Sequence, residues 1–254
     1  MSLTTSSSPI AFRPRQENVL SGTAKFPFDI HVITDPENRD DAYALRYRAY
    51  HASGILDDDA SSQFHDRADR FASTAVVIAY DKGKCVGTVR ICFSHPWLPV
   101  STLPCAPYYP ALKDIKRSAA GALVEVGRMA IDPDITNTSY RTTLYAALVR
   151  AGFIAAQAGG ASYVLVTAKE SGVAFYKAML GFKVVGEPAH YPPGDIPITL
   201  LVGTIGDAQL KQRAQNAFFR ITLDEIGSMR AALGPALARP SVTVHAPAYG
   251  SQIR

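Results

Sequence analysis

The stretch Val124–Asp132, VEVGRMAID, constrains this chain more than any other. Its apolar residues mark a buried strand, yet it carries a carboxylate, Glu125, and a guanidinium, Arg128. Charged side chains are rarely buried unless they are paired or used. A fold containing this strand therefore needs it inside a sheet, with partners or open space beside it. In a regular strand, side chains 125 and 128 fall on opposite faces. Gly127 between them permits a bulge that would bring both toward one side. Such a bulge would splay the sheet and free backbone N–H groups near Ala130 and Ile131.

The flanking segments supply the rest of the sheet. FDIHVIT (Phe28–Thr34) alternates as a strand. Asp35–Pro36–Glu37 opens a helix that runs to about Ala52, with an acid-rich first turn and a stop at Gly54. Leu56–Phe71 reads as acidic and irregular. TAVVIAY, DKGK and CVGTVRICF form a hairpin with Gly83 in the turn. A Pro-rich loop, Trp97–Leu112, precedes the charged strand. A helix follows over Ser139–Ala158, then a strand over Tyr163–Ala168, a helix over Gly172–Leu180 stopped by Gly181, and strands FKVVG and Ile198–Ile205. An amphipathic helix is expected from Asp207 to about Leu233, with a loose tail. Strands first and last around one βαβ unit predict the α/β class: a mixed sheet with helices on both faces. The crossover between Glu125 and Ala168 should be right-handed and parallel. Residues 1–26, rich in Ser, Thr and Pro, are expected as a flexible arm, 27–206 as one domain, and 207–254 as a helix and tail packed on it.

Composition removes several classes. The chain has 254 residues, 47% of them hydrophobic, enough for one sizeable core. Lys and Arg number 26 against 22 Asp and Glu, a net charge of +4. That excess is not concentrated in the stripe that nucleic-acid binding needs; it suits an anionic substrate or an acidic partner. Cys85, Cys92 and Cys105 lack CxxC spacing and read as reduced thiols in a cytoplasmic protein. The six histidines show no metal-binding spacing, so no metal is expected. No nucleophile-elbow GxSxG is present. No apolar run spans a membrane, and MSLTTSSSP lacks the features of a signal peptide.

The remaining polar residues each admit two readings. Glu125 could take a proton from a reacting group, or form a structural pair with Arg128. Arg46 and Arg48, in ALRYRAY, could snorkel or pair with nearby acids. Arg90 lies among apolar neighbours in GTVRICF and needs a carboxylate from the protein or from a substrate. Asp66 and Asp69 in FHDRAD could bind an ammonium or sit in a solvated loop. Tyr176 could protonate a leaving thiolate or belong to the core.

A charged central strand, a helix, a strand and a closing YKAMLGF turn resemble the GNAT acyltransferases in their order of parts. More narrowly, the chain resembles the GNAT branch of long-chain N-acyl amino acid synthases and acyl-homoserine-lactone synthases, over residues 40–205. LRYRAY is similar to the branch's LRYxVF, which points to Arg46 and Tyr50. DRAD is similar to DxxD, giving Asp66 and Asp69; GTVRI to GxxRL, giving Arg90; and EVGR to ExSR, giving Glu125 and Arg128. The resemblance implies a GNAT fold and transfer of a medium or long fatty acyl group from a carrier thioester to an amino acid's α-amine. Glu125 would be the base, with Arg128 and Arg90 catalytic. Arg46, Tyr50, Asp66 and Asp69 would bind the acceptor, and Ala130, Ile131, Arg141, Thr142, Thr143 and Tyr176 the acyl donor. Lactone synthases typically carry a Trp soon after the first-helix aromatic, where this chain has Leu56. The amino acid branch is therefore preferred. The alternatives are a lactone synthase using S-adenosylmethionine, a small-acyl CoA-dependent acetyltransferase, and a non-catalytic carrier-binding domain. GNAT enzymes hold the CoA diphosphate on a Gly-rich turn at a helix N-terminus, but this chain has no glycine between Ile131 and Gly152. Acyl carrier protein, whose phosphopantetheine arm carries one phosphate, is accordingly expected as donor and partner. Trp97–Leu112 and the last helix, with Phe218 and Phe219, are candidates for covering an acyl channel.

Overall fold

The computed structural model describes residues 26–194, 196–204 and 221–239. Its elements run β1 (Asp29–Ile33), α1 (Asp40–Ala52), β2 (Thr74–Asp81), β3 (Lys84–Ser94), α2 (Leu112–Ser118), β4 (Ala122–Ile131), α3 (Thr138–Ala158), β5 (Ala161–Ala168), α4 (Glu170–Leu180), β6 (Lys183–Val184), β7 (Ala189–His190), β8 (Pro197–Thr204) and α5 (Leu223–Leu237). The strands pair in the order β1-β2-β3-β4-β5-β8-β6, with β7 also on β8. Among the described strands only β4 and β5 pair in parallel. That pair is the βαβ unit read from the sequence, and α3 is its crossover.

Alternation along each strand divides the core. Val77, Val89, Ile91, Val124 and Val126 pack toward α3 and α5. Ile33, Val76, Ile78 and Ala130 pack toward Ala42 and Leu45 of α1 on the opposite face. The mixed α/β sheet with helices on both faces is thus observed.

Several boundaries differ from expectation. Pro36–Asn38 forms one 3-10 turn capped by Asp35, and α1 starts only at Asp40. The Pro-rich segment leads into the short helix α2, for which the sequence carries no side-chain cap. Of the helix expected from Asp207, residues 207–220 lie outside the described residues, and the described helix begins at Leu223. Thr222 accepts from the Glu225 N–H, and Glu225 reaches back to the Thr222 N–H, a capping box that starts α5 at Leu223. The helix then passes Gly234 and ends at Leu237. The arm, apart from Phe26, and Phe218 and Phe219 lie outside the described residues. A buried bidentate pair fastens α5 to α3, with Arg150 donating to both oxygens of Glu225 at 2.8 and 2.9 Å.

The LGF signal has a physical cause. Gly181 ends α4 in a left-handed conformation (φ 67°). Phe182 then turns under the sheet, where a Cβ on Gly203 of β8 would lie 2.1 Å from its ring. Phe182 in turn packs edge-on against Phe153 of α3. Gly203→Ala should therefore overpack this layer and destabilise the fold by roughly 1–3 kcal/mol, read as a lower midpoint in thermal or urea unfolding.

Candidate active site

The site begins where two strands part. β4 pairs with β5 only through Val126↔Val166. Beyond that point Gly127–Ile131 stay with β3, and Thr167 and Ala168 stay with β8. The edge of β4 facing β5 is left without a strand partner among the described residues. A cavity of about 360 Å³ opens in the gap, within the usual range for small-molecule sites, roughly 300–1,000 Å³.

A bulge places the charged residues. The β3–β4 register steps from Thr88↔Ala130 to Arg90↔Gly127, so Val89 faces two residues, Arg128 and Met129. The freedom expected at Gly127 is used one residue later: Arg128 itself has φ 51°. A left-handed backbone costs a non-glycine residue roughly 1–2 kcal/mol. The extra residue reverses the alternation. Leu123 and Glu125 point away from α3 before the bulge, and Arg128 and Ala130 do so after it. Both charged side chains consequently line the same cavity.

They do not pair with each other. Arg128 donates through Nε and Nη2 to one oxygen of Asp66, at 3.0 and 2.7 Å. Asp66 accepts from Arg90 at 2.6 Å, Arg90 also donates to Asp69 at 2.9 Å, and Asp69 accepts from Arg46 at 2.8 Å. Arg46, Asp69 and Arg90 are 0%, 1% and 2% exposed. Three guanidiniums against two carboxylates leave this chain one positive charge. Burial alone would raise the carboxyls of Asp66 and Asp69, but the flanking arginines hold both below the usual range. The DRAD spacing is explained locally. Asp66 caps a 3-10 turn, Arg67–Arg70, by accepting from the Ala68 N–H, and Asp69 accepts from the Asp66 N–H. The same two carboxylates that close the turn thus face the arginines. Arg39, fully buried, donates to the carbonyls of Thr34, Asp69 and Thr74 and ties the turn to the sheet.

Glu125 is 3% exposed. Its Oε2 accepts from the Cys105 backbone N–H at 2.9 Å, and the Tyr191 hydroxyl donates to Oε1 at 3.4 Å. The ring of Tyr191 also lies 5.1 Å from the Arg128 guanidinium, and that of Phe64 lies 5.4 Å from it. Two rings and one carboxylate thus hold Arg128, while its Nη1 has no partner among the described residues.

The sequence-predicted residues separate by position. Glu125, Arg128, Tyr50, Ala130, Ile131, Arg141 and Tyr176 line the cavity. Arg46, Asp66, Asp69 and Arg90 stand behind Arg128 and do not. Thr142 is exposed, Thr143 donates to the Ser139 carbonyl, and neither reaches the cavity. Val126, Val149, Phe153 and Leu180 give the cavity an apolar end. Tyr176 there contacts the Tyr145 hydroxyl at 3.1 Å, and burial pushes its phenol up. No residue of Trp97–Leu112 or α5 lines the cavity. Trp97 stacks on His95 instead, and the Pro-rich loop reaches the site through the Cys105 N–H. Tyr191, Phe64 and that N–H are missed by sequence reasoning. The only signal for Tyr191 is an aromatic before two prolines in an irregular segment. Among the described residues no cluster of His, Cys, Asp or Glu is arranged to hold a metal ion, and no helix is long and apolar enough to cross a membrane.

The model of the N-acyl amino acid synthase FeeM family matches residues 41–203. The chain belongs to that family. The match spans every residue of the ion-pair chain, together with Glu125 and Tyr191. Among solved structures, this FeeM-family chain is similar to FeeM, an N-acyl amino acid synthase from uncultured soil microbes, at 18% identity and TM-score 0.58 over 75% of this chain and 97% of that one. It is similar to TofI, solved in a ternary complex with an inhibitor and MTA, at 16% identity and TM-score 0.50 over 82% and 99%. BjaI, a CoA-dependent acyl-homoserine lactone synthase, follows at 15% and 0.49 over 80% and 99%. No curated protein sequence matches. Membership of the FeeM family makes the protein an N-acyltransferase with a GNAT-like fold.

Proposed function

We propose that the protein moves a medium or long fatty acyl group from the thioester of an acyl carrier protein to the α-amine of an amino acid, by direct attack. The observation that carries this reading is a buried carboxylate and a partly unoccupied guanidinium meeting in a cavity with one apolar end. An ammonium is no nucleophile, so Glu125 serves as the base. Arg128 holds the acceptor's carboxylate through Nη1. Burial and double pairing of Arg90 favour Arg128 over it for that contact. Arg46, Asp69, Arg90 and Asp66 act through Arg128 by fixing its other edge, and Tyr50 bounds the acceptor's space. The unpaired β4 edge near Ala130 and Ile131 offers N–H groups to the carbonyl oxygen as it gains charge. The wall of Val126, Val149, Phe153 and Leu180 takes the acyl chain, and Tyr176, kept protonated by burial, gives its hydrogen to the departing thiolate. An acyl-cysteine intermediate has no support. Burial raises all three thiols, Cys85 to about 12 and Cys92 to about 11, so none is a thiolate nucleophile.

The donor assignment rests on the start of α3. A diphosphate needs bare backbone there, and this turn presents side chains instead. Arg141 at the cavity wall suits a single phosphate, and the net charge of +4 would steer an acidic carrier. Purified protein supplied with palmitoyl-acyl carrier protein or palmitoyl-CoA, and a mixture of the common amino acids, should form an N-acyl amino acid from the carrier protein, detected by mass spectrometry. Turnover with the CoA thioester alone would overturn the donor assignment. No amide from either donor would overturn the acceptor class.

A further inference from the structure

We propose that Tyr191 is a catalytic residue of the acyl transfer, its hydroxyl passing the acceptor's proton to Glu125 while its ring holds Arg128. The inference rests on the reading of Glu125 as base. Glu125 is almost wholly enclosed, and its Oε2 is occupied by the Cys105 N–H. Among the described residues its Oε1 has one hydrogen-bond partner on the cavity wall, the Tyr191 hydroxyl at 3.4 Å. That distance is long for a hydroxyl–carboxylate bond, and catalytic hydrogen bonds commonly tighten only when substrate is bound. The same side chain lies against the guanidinium that the acceptor's carboxylate would meet. An amino acid held by Arg128 therefore brings its amine beside the phenol.

The groups around Tyr191 define what it can do. Burial raises its phenol, and Glu125 raises it further; Arg128 and Arg90 oppose this, and Cys105 adds to the rise. The Tyr108 ring stands edge-on at 5.1 Å. The phenol stays protonated, so it does not act as a phenolate base. One ammonium proton moves to the phenol oxygen as the phenol's own proton moves to Glu125 Oε1. The freed nitrogen lone pair forms the C–N bond to the thioester carbonyl carbon. The C–S bond then breaks, its electron pair leaves on sulfur, and the thiolate takes the second nitrogen proton by way of Tyr176. Tyr191 ends unchanged, and Glu125 releases its proton to solvent.

Ring and hydroxyl are separable. Steady-state kinetics of thiol release, with palmitoyl-acyl carrier protein and the acceptor identified by product mass, should be compared for Tyr191→Phe, Tyr191→Leu and Glu125→Gln alongside their unfolding midpoints. Tyr191→Phe keeps the ring on Arg128. It should lower kcat by roughly 10²–10⁴-fold, the contribution of a positioned proton-transfer group, with acceptor KM and unfolding midpoint close to wild type. Tyr191→Leu should in addition raise the acceptor KM, because Arg128 loses a face. A wild-type kcat in Tyr191→Phe beside an inactive Glu125→Gln would overturn the relay and leave Glu125 as base. Wild-type kcat in both would remove the base reading itself. Replacing Tyr191 with 3-fluorotyrosine preserves shape and changes only acidity; an unchanged kcat there would also sink the relay.

Discussion

Glu125→Gln is expected to lower kcat by roughly 10²–10⁴-fold while the protein stays folded. Glutamine has nearly the shape of glutamate, and its amide oxygen can still accept from the Cys105 N–H that now binds Oε2. What disappears is the capacity to hold a proton. A structural role for Glu125 predicts the opposite pattern, a lower unfolding midpoint with the rate spared. A second measurement sharpens the contrast. An amine that is already neutral needs no base, so the variant's deficit should shrink as the pH rises through the acceptor's own amine pKa. A deficit that is constant with pH would place Glu125 outside the proton path. Wild-type turnover at neutral pH would end the assignment.

Much of the scaffold was legible because it depends on local pattern. The hairpin of β2 and β3 shows its alternation and its Gly83, which sits at φ 81°; α3 ends at Gly159, and α4 ends at Gly181, where only a left-handed residue serves. Arg90, Asp66, Asp69, Glu125 and Arg128 stood out as charges in places that resist charge. Their division of labour did not. Whether a buried arginine meets substrate or another protein group depends on which acid the fold delivers, and Asp66 reaches Arg128 across 62 positions of chain. The left-handed turn at Arg128 is likewise a tertiary effect. Nothing local favours it at arginine over the preceding glycine; Asp66 and two rings do. Tyr191 was illegible for the same reason, since its partner Glu125 lies 66 residues away and its segment has no periodicity. The helix α2 lacks a side-chain cap and is too short for a clear period. The start of α5 was written in Thr222 and Glu225 and was overridden by a helical pattern that ran through both.

The ion-pair chain makes the same site fragile. Asp69→Asn removes the charge of the carboxylate that Arg46 meets and turns one of its two acceptor oxygens into an NH2 donor that faces an arginine; Nε and Nη2 of Arg46 are already buried without a partner among the described residues. Arg90 keeps Asp66, but the Asp66 N–H loses part of its cap. Removing one partner of a buried pair leaves an uncompensated charge, at a cost of about 3–5 kcal/mol. For a chain of this size that lowers the unfolding midpoint by on the order of 10 °C. The sign of the pH dependence follows from the depressed carboxyls of Asp66 and Asp69. A folded pKa below the unfolded 3.8 contributes stability in full above pH 3.8, and the contribution is lost as the pH falls through the folded values. The gap in unfolding free energy between wild type and Asp69→Asn should thus be flat from neutral pH down to about 4 and narrow in stronger acid. Activity should respond before stability does. Asp66, Arg90 and Asp69 set the edge of Arg128 that faces away from the cavity, so loosening that edge raises the acceptor KM even at temperatures where the variant is fully folded. A variant that loses stability but keeps its wild-type KM would show that the chain of pairs holds the fold without positioning Arg128.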